Sequence, residues 1–429
     1  MEEPDTIGLV TVRSPGAYSE EESMKRKVMI IGGGASGMTA AIAAAREGAD
    51  AVILEHTKRP GKKILSTGNG KCNLTNLDMR KDAFRGENPG FAWKVVGEVP
   101  VKETLSFFED LGLVLTDRNG YVYPATGQAS SVLDALRFEL ERLKIPVLCE
   151  CEVLSVSKKL ELATSQGAMK ADAVILAAGS KAAPGTGSDG SGYKLAESLG
   201  HSVIKPLPAL VQLKCRETWY KQFAGVRTEA SVTLYSDGKA AASDRGELQF
   251  TDYGISGIPV FQISRFAARA LSDGKKVTVR LDLLPVMEKK ELFQFLTNRV
   301  KRLGYRPGEE FLNGVLNKKL HQVLLKESGI PAGRRTREIT EKQLGVLTDR
   351  IKGLETTVTA VNPFEQAQIC CGGVDTREVN PCTMESKLVS QLFLAGEILD
   401  VDGICGGYNL QWAWSSGILA GRNAGRGPI

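Results

Sequence analysis

Lys27-Val28-Met29-Ile30-Ile31-Gly32-Gly33-Gly34-Ala35-Ser36-Gly37-Met38-Thr39-Ala40-Ala41 opens the patterned part of this chain, and Val52-Ile53-Leu54-Glu55 completes its reading. The apolar run from Val28 to Ile31 has the length and composition of a buried strand. Gly32, Gly34 and Gly37 follow it at G-x-G-x-x-G spacing. The first glycine permits a tight turn, the second lets a pyrophosphate approach the backbone, and the third lets helix and strand pack closely. Gly32, Gly34, Ala35, Ser36 and Gly37 are thus expected to cradle a pyrophosphate at the start of a helix, which runs from Met38 to Arg46. Val52 to Leu54 make the next strand. Glu55, 18 residues after Gly37, stands where a carboxylate accepts hydrogen bonds from an adenosine ribose. Strand, glycine turn, helix, strand and acid spell a dinucleotide-binding unit.

The 429 residues exceed one ordinary core, so two or three domains are expected. A net charge of +5 without a block of like charges implies a mixed solvated surface and gives no reason to expect a nucleic-acid partner. No apolar run approaches the ~18 residues of a membrane span, so no membrane partner is expected. Residues 1–23 lack an apolar signal core, carry Glu20, Glu21 and Glu22, and read as a disordered tail. The eight cysteines form no C-x-x-C or paired metal-finger spacing, and only three histidines are present. No metal site is therefore expected. The cysteines, the adjacent Cys370-Cys371 included, read as reduced core or turn residues of a cytoplasmic protein.

Thr104 to Leu111 and Ser131 to Leu143 have helical spacing, the second with Ser131-x-x-Asp134 resembling a capping box. Val147 to Val156 reads as one strand, and Lys170 to Gly179 as another that ends in a small-residue turn. Ser231 to Tyr235 and Lys276 to Leu281 alternate apolar and polar residues, the period of half-buried antiparallel strands, and Asp237-Gly238 signals a hairpin. Glu288 to Leu303, Glu309 to Leu325 and Glu341 to Ile351 read as helices, the last capped by Thr340. From about residue 361 the glycine-rich α/β character returns. Leu392 to Leu394 leads into Ala395-Gly396-Glu397, and Gly403 to Asn409 opens a helix over Leu410 to Ala420.

Three features favour FAD over NAD as the resident cofactor. The loop Pro60 to Asn76, rich in glycine and asparagine, is too long for a simple crossover. The small-residue turn ending at Gly179 is similar to that of flavoproteins with two dinucleotide-type elements. The distant Gly396-Glu397 is similar to the motif whose acid meets the ribityl chain. The second literal match, Gly185-x-Gly187-x-x-Gly190, lacks a preceding apolar strand and a following acid, and reads as a loop near the flavin. NAD(P)H, if used, would then bind transiently.

The strings Gly61-Lys62-Lys63, Ser66 to Asn76, Gly254-Ile255-Ser256-Gly257, Gly372-Gly373-Val374, Thr383 to Lys387 and Ala395 to Trp414 resemble those of the BaiN-like (HI-type) flavoproteins, a family of NAD(P)/FAD-dependent oxidoreductases, over about residues 25–423. The resemblance implies an α/β fold: a discontinuous Rossmann-like FAD-binding domain (24–202 and 361–429), an inserted β-rich domain (203–285, returning at 336–360) and a small helical subdomain (286–335). Cys370-Cys371 and Cys405 depart from the family pattern.

Lys62 and Lys63 are expected at the phosphates or the flavin, and Asn69, Cys72 and Asn73 along it, although inert packing suits Cys72 better than a redox role. The resemblance implies a backbone pairing of Val153 with adenine. Glu397, Gly407, Tyr408 and Asn409 are placed near ribityl and ring. No catalytic residue is assigned; Tyr253 and Tyr408 are conceivable proton donors, whereas Trp412 and Trp414 read as packing. The resemblance implies reduction of a C=C bond in an unsaturated carbonyl compound, such as a 3-oxo bile-acid intermediate. The alternatives are an FAD oxidase of small amines that makes hydrogen peroxide, and a flavin-bound redox sensor. Either enzyme takes a small-molecule substrate.

Overall fold

The computed structural model describes residues 25–331 and 333–428; the tail expected over 1–23 lies outside them. The apolar run forms the strand Lys27–Ile31, at the centre of a five-stranded parallel sheet. The order across it is Leu392–Leu394, Ala173–Leu176, Lys27–Ile31, Asp50–Leu54, Val147–Leu148. Strands in the middle of such a sheet are covered on both faces, so Val28, Met29 and Ile30 are all buried. The helix Ala35–Arg46 follows the glycine turn and starts three residues before its expected Met38. The sheet edge joins residues nearly 220 positions apart in sequence, Val174 beside Leu392, so the C-terminal segment completes the unit that the N-terminal one begins.

Val147 to Val156 is not one strand. Glu150 adopts φ +54°, breaking the run into Val147–Leu148, in the parallel sheet, and Val153–Val156, in an antiparallel meander with Glu161–Thr164 and Gly167–Lys170. The capping box at Ser131 is also absent: the helix begins earlier, at Ala129, behind Gln128, and Ser131 lies inside its first turn.

The chain leaves the Rossmann unit along Val203–Ala209, which pairs antiparallel with the returning Ile369–Val374. Between them lies a closed six-stranded barrel, in the order Leu213–Cys215, Gly254–Gly257, Lys239–Phe250, Arg227–Ser236, Val277–Asp282, Leu354–Val361. The alternation in the sequence is met here: Ala230, Val232 and Leu234 point into the barrel core together with Val277, Val279 and Leu281. Asp237 (φ +47°) and Gly238 (φ +77°) make the two-residue hairpin turn, with Ser236 paired to Lys239. Helix Ile258–Ser272 follows the fourth barrel strand in sequence and packs on the barrel.

Three helices, Lys289–Leu303, Lys318–Glu327 and Glu341–Lys352, are inserted before the last barrel strand. The long helix expected over Glu309 to Leu325 is instead a short 3₁₀ turn, Gly308–Glu310, and then Lys318–Glu327. Asn313-Gly314, with Gly314 at φ +78°, interrupts it, and the Asn317 side chain caps the real helix by accepting from the Lys319 amide at 3.0 Å. Thr340 caps Glu341–Lys352 as expected.

Candidate functional site

The last helix, Tyr408–Arg426, lies against Ala35–Arg46, and glycines set the distance. A β-carbon at Gly417 would strike Ser36 and Thr39, one at Gly421 the Ala40 carbonyl, and one at Gly425 would sit 2.9 Å from the Ala44 carbonyl oxygen. The contacts advance by one turn in the same direction on each helix, so the helices run parallel and their N-termini lie at the same end. The positive ends of both backbone dipoles therefore face the same cavity.

That cavity measures about 590 Å³, inside the ~300–1,000 Å³ usual for small-molecule and cofactor sites. Gly32, Gly34, Ala35 and Ser36 line it. The Gly32 amide bonds Leu54 O and the Gly33 amide bonds Glu55 Oε2, both at 2.8 Å. No side chain caps the helix behind them, so the amides of its first turn are available to a ligand. A β-carbon on Gly34 would meet nothing within 4 Å: the backbone here is open to an approaching group. Gly37 is not on the wall. Its β-carbon would overlap the Gly32 carbonyl, so this glycine serves the close packing of helix and turn.

Glu55 is 8% exposed and lines the cavity. Besides the Gly33 amide it accepts the Thr57 amide, at 2.8 Å, so the carboxylate is fixed before any ribose arrives. Lys62 and Lys63 stand on the short helix Lys62–Ser66, behind Gly61 at φ +76°. Both line the cavity, and Lys63 Nζ pairs with Glu397 Oε2 at 2.6 Å, a carboxylate oxygen that also accepts from Ser180 Oγ at 2.9 Å. Asn69, Asn73, Val153, Gly179, Gly407 and Asn409 are on the wall as well.

Besides Gly37, three expected residues stand off it. Cys72 is fully buried, and burial pushes its thiol up to about 11, the signature of a packing cysteine. Gly396, at φ +78°, is pressed against Ser36; its amide donates to Ser416 Oγ and its carbonyl accepts from Trp412 Nε1. Tyr408 turns away because the preceding Gly407 is packed against Thr75; its ring meets Phe84 edge-on and its hydroxyl donates to Asp78 O at 2.7 Å. Tyr253 accepts from the Asn362 amide and is not on the wall, so neither tyrosine is placed as a proton donor. Trp412 and Trp414 are buried packing residues, as read.

The loop Gly185 to Gly190 does border the cavity, through Thr186, Gly187 and Ser188. His56 is on the wall too, whereas His201 is locked between Glu378 and Ser386, at 2.9 Å from each. Sequence reasoning missed the apolar wall members Leu210, Ile258, Phe261 and Ile369, which come from the connecting strands and the barrel-side helix and carry no motif. Among the described residues no cluster could hold a metal ion, all the cysteines are free thiols, and no helix is long and apolar enough to cross a membrane.

The chain is 47% identical to the 3-dehydro-bile acid delta(4,6)-reductase of Clostridium scindens over 407 residues, 94% of this chain and 100% of the relative. It is 31% identical to the ribosomal RNA dihydrouridine synthase of Haemophilus influenzae, over 90% of this chain and 96% of that one. Among solved structures, 3-ketosteroid delta1-dehydrogenase from Sterolibacterium denitrificans matches 94% of this chain and 100% of its own with 10% identity and a TM-score of 0.48. The model of the HI0933-like protein Rossmann domain matches residues 26–423. With nearly its whole length matched, the chain belongs to the HI0933-like Rossmann-domain family.

Proposed function

We propose that this chain, an FAD-dependent oxidoreductase, reduces a C=C bond conjugated to a carbonyl in a 3-oxo bile-acid or steroid-like substrate, with NAD(P)H as the transient electron donor. The identity of 47% across the whole length of a 3-dehydro-bile acid reductase carries this reading. The dihydrouridine synthase relative points to the same chemistry, because making dihydrouridine adds a pair of hydrogens across a double bond conjugated to a carbonyl.

The residues present suit FAD. The open backbone at Gly34 and the uncapped first turn from Ala35 fit a pyrophosphate, and the fixed carboxylate of Glu55 fits a ribose. The second uncapped helix start, at Gly407 and Tyr408, adds a further set of amides. Each helix end is worth roughly 0.3–1 kcal/mol toward an exposed anion and up to ~2 when partly buried. The ion pair of Lys63 and Glu397 ties the long glycine loop to the C-terminal segment across the cavity. Bound FAD supplies two-electron transfer, and the protein supplies position, polarity and exclusion of water. Overall, NAD(P)H and one proton are consumed, and the pair of hydrogens appears on the former double bond.

The test is anaerobic incubation of the flavin-loaded protein with NAD(P)H and a 3-oxo-4,6-diene bile acid, followed by mass spectrometry. A substrate heavier by one pair of hydrogens per bond reduced supports the proposal. Peroxide formation from small amines in air, with no reduction of the diene, would overturn it in favour of the oxidase reading.

A further inference from the structure

Part of the cavity wall is apolar and carries no dinucleotide-binding motif. Leu210, Ile369 and Phe261, with Cys405 beside them, form a small apolar cluster separate from the cores of the Rossmann unit and the barrel. All four line the cavity. They come from both bodies: Leu210 from the end of the outgoing strand, Ile369 from the returning strand, Phe261 from helix Ile258–Ser272 and Cys405 from the loop before the last helix.

Two features set this wall apart from ordinary packing. Leu210 holds φ +48°, the left-handed region that a bulky side chain rarely enters, yet it is only 5% exposed. Strain of this kind persists where the surroundings over-determine it, and it collects at ligand sites. Ile258, one turn before Phe261 and also on the wall, is 59% exposed although its helix buries the apolar residues of its other face. The wall thus presents aliphatic and aromatic surface to a cavity that elsewhere carries the glycine turn, Glu55, Lys62 and Lys63. Burial keeps the Cys405 thiol protonated, with its pKa up at about 12, so it adds no charge.

We propose that Leu210, Ile258, Phe261 and Ile369 form the substrate wall of this enzyme, against which the fused apolar rings of the substrate lie. This rests on the reductase reading for the reaction, and goes further in assigning residues and a ligand shape. A rigid ring system suits such a wall because it covers apolar surface without losing rotor freedom on binding. Phe261 and Ile258 belong to the barrel-side helix, so the inserted domain selects the substrate while the Rossmann unit holds the cofactor.

The test compares two enones on the flavin-loaded enzyme, a fused-ring 3-oxo-4-ene steroid acid and the one-ring cyclohex-2-enone, with wild type, Phe261→Ala and Phe261→Leu. Flavin content is checked for each variant. Phe261→Ala is expected to lower kcat/KM for the fused-ring substrate by about ten- to a hundredfold and that for the one-ring substrate much less; Phe261→Leu restores most of the loss. An equal change for both substrates, or none, overturns the assignment. Failure of the reductase reading looks different: wild type reduces neither enone. The wall is then judged by equilibrium dialysis of the saturated fused-ring 3-ketone against the same flavin-loaded variants. Binding weakened by Phe261→Ala supports it; binding that is absent from wild type or indifferent to the substitution overturns it.

Discussion

Gly421 rests against the carbonyl of Ala40 with no room for a β-carbon between them. With Gly417 on Ser36 and Gly425 on Ala44 it lets the first and last helices of the chain run parallel in close contact, both N-termini at the cavity. Substitution should act on stability and cofactor retention together. Gly421→Val must push the helices apart, because the obstacle is backbone. We expect a loss of at least ~1–3 kcal/mol in urea unfolding, accompanied by flavin loss on gel filtration.

Gly345 provides the opposite case. It lies inside helix Glu341–Lys352, and a β-carbon there would meet nothing within 4 Å. Gly345→Ala should stabilise the protein by roughly 0.5–1 kcal/mol through helix propensity, read as a higher urea midpoint with unchanged activity.

Glu55 accepts the amides of Gly33 and Thr57, so it shapes the glycine turn besides lining the cavity. Replacing it by alanine removes charged acceptors worth about 1.5–3 kcal/mol each. Glu55→Ala should weaken FAD binding by at least ~10-fold, measured by flavin release during dialysis. Full retention would contradict its assignment.

Glu139 pairs with Arg142 on its own helix (2.7 Å) and with Arg46 on helix Ala35–Arg46 (2.8 Å), and these guanidiniums, Arg142 foremost, hold its carboxyl below the usual range. A depressed carboxylate contributes stability that is complete above its unfolded value and is lost as pH falls through the folded one. As pH falls through and below the usual carboxylate range, wild type should therefore lose stability more steeply than Glu139→Gln, which will be weaker at neutral pH and flatter toward acid.

The buried thiols should be silent. Burial pushes Cys72, Cys215 and Cys370 up to about 11 and Cys371 and Cys405 up to about 12, whereas Cys382 is exposed. At pH 8 fewer than about one in a hundred of these buried groups is thiolate. An aromatic disulfide reagent should find Cys382 as the fastest thiol, a phase abolished by Cys382→Ser, and all eight thiols after unfolding without reductant.

What was legible in the sequence was local. The turn at Gly32, the acid at Glu55 and the hairpin at Asp237-Gly238 each follow from the backbone demands of a few neighbouring residues. Amphipathic spacing runs on from Glu309 past Gly314, whose left-handed conformation confines the helix to Lys318–Glu327. The break at Glu150 left no mark, since nothing in a glutamate announces φ +54°. Barrel closure, with Leu213 paired to Val361, joins residues whose partnership no local pattern encodes. Gly417, Gly421 and Gly425 were visible as a spacing, but their partners on the first helix were not. The place of Tyr408 beside Gly407 suggests the cavity, but packing on Phe84 sets its direction. The apolar wall escaped for the same reason: Leu210 and Phe261 meet only after the inserted barrel has folded back.

The central claim is that bound flavin passes electrons from a nicotinamide to a conjugated double bond, and anaerobic rapid mixing tests it most directly. The account predicts that NADH or NADPH bleaches the flavin absorbance and that a 3-oxo-4,6-diene bile acid then restores it without oxygen. Flavin that stays oxidised with both nicotinamides, yet is bleached by small amines and recovers only in air, would contradict it.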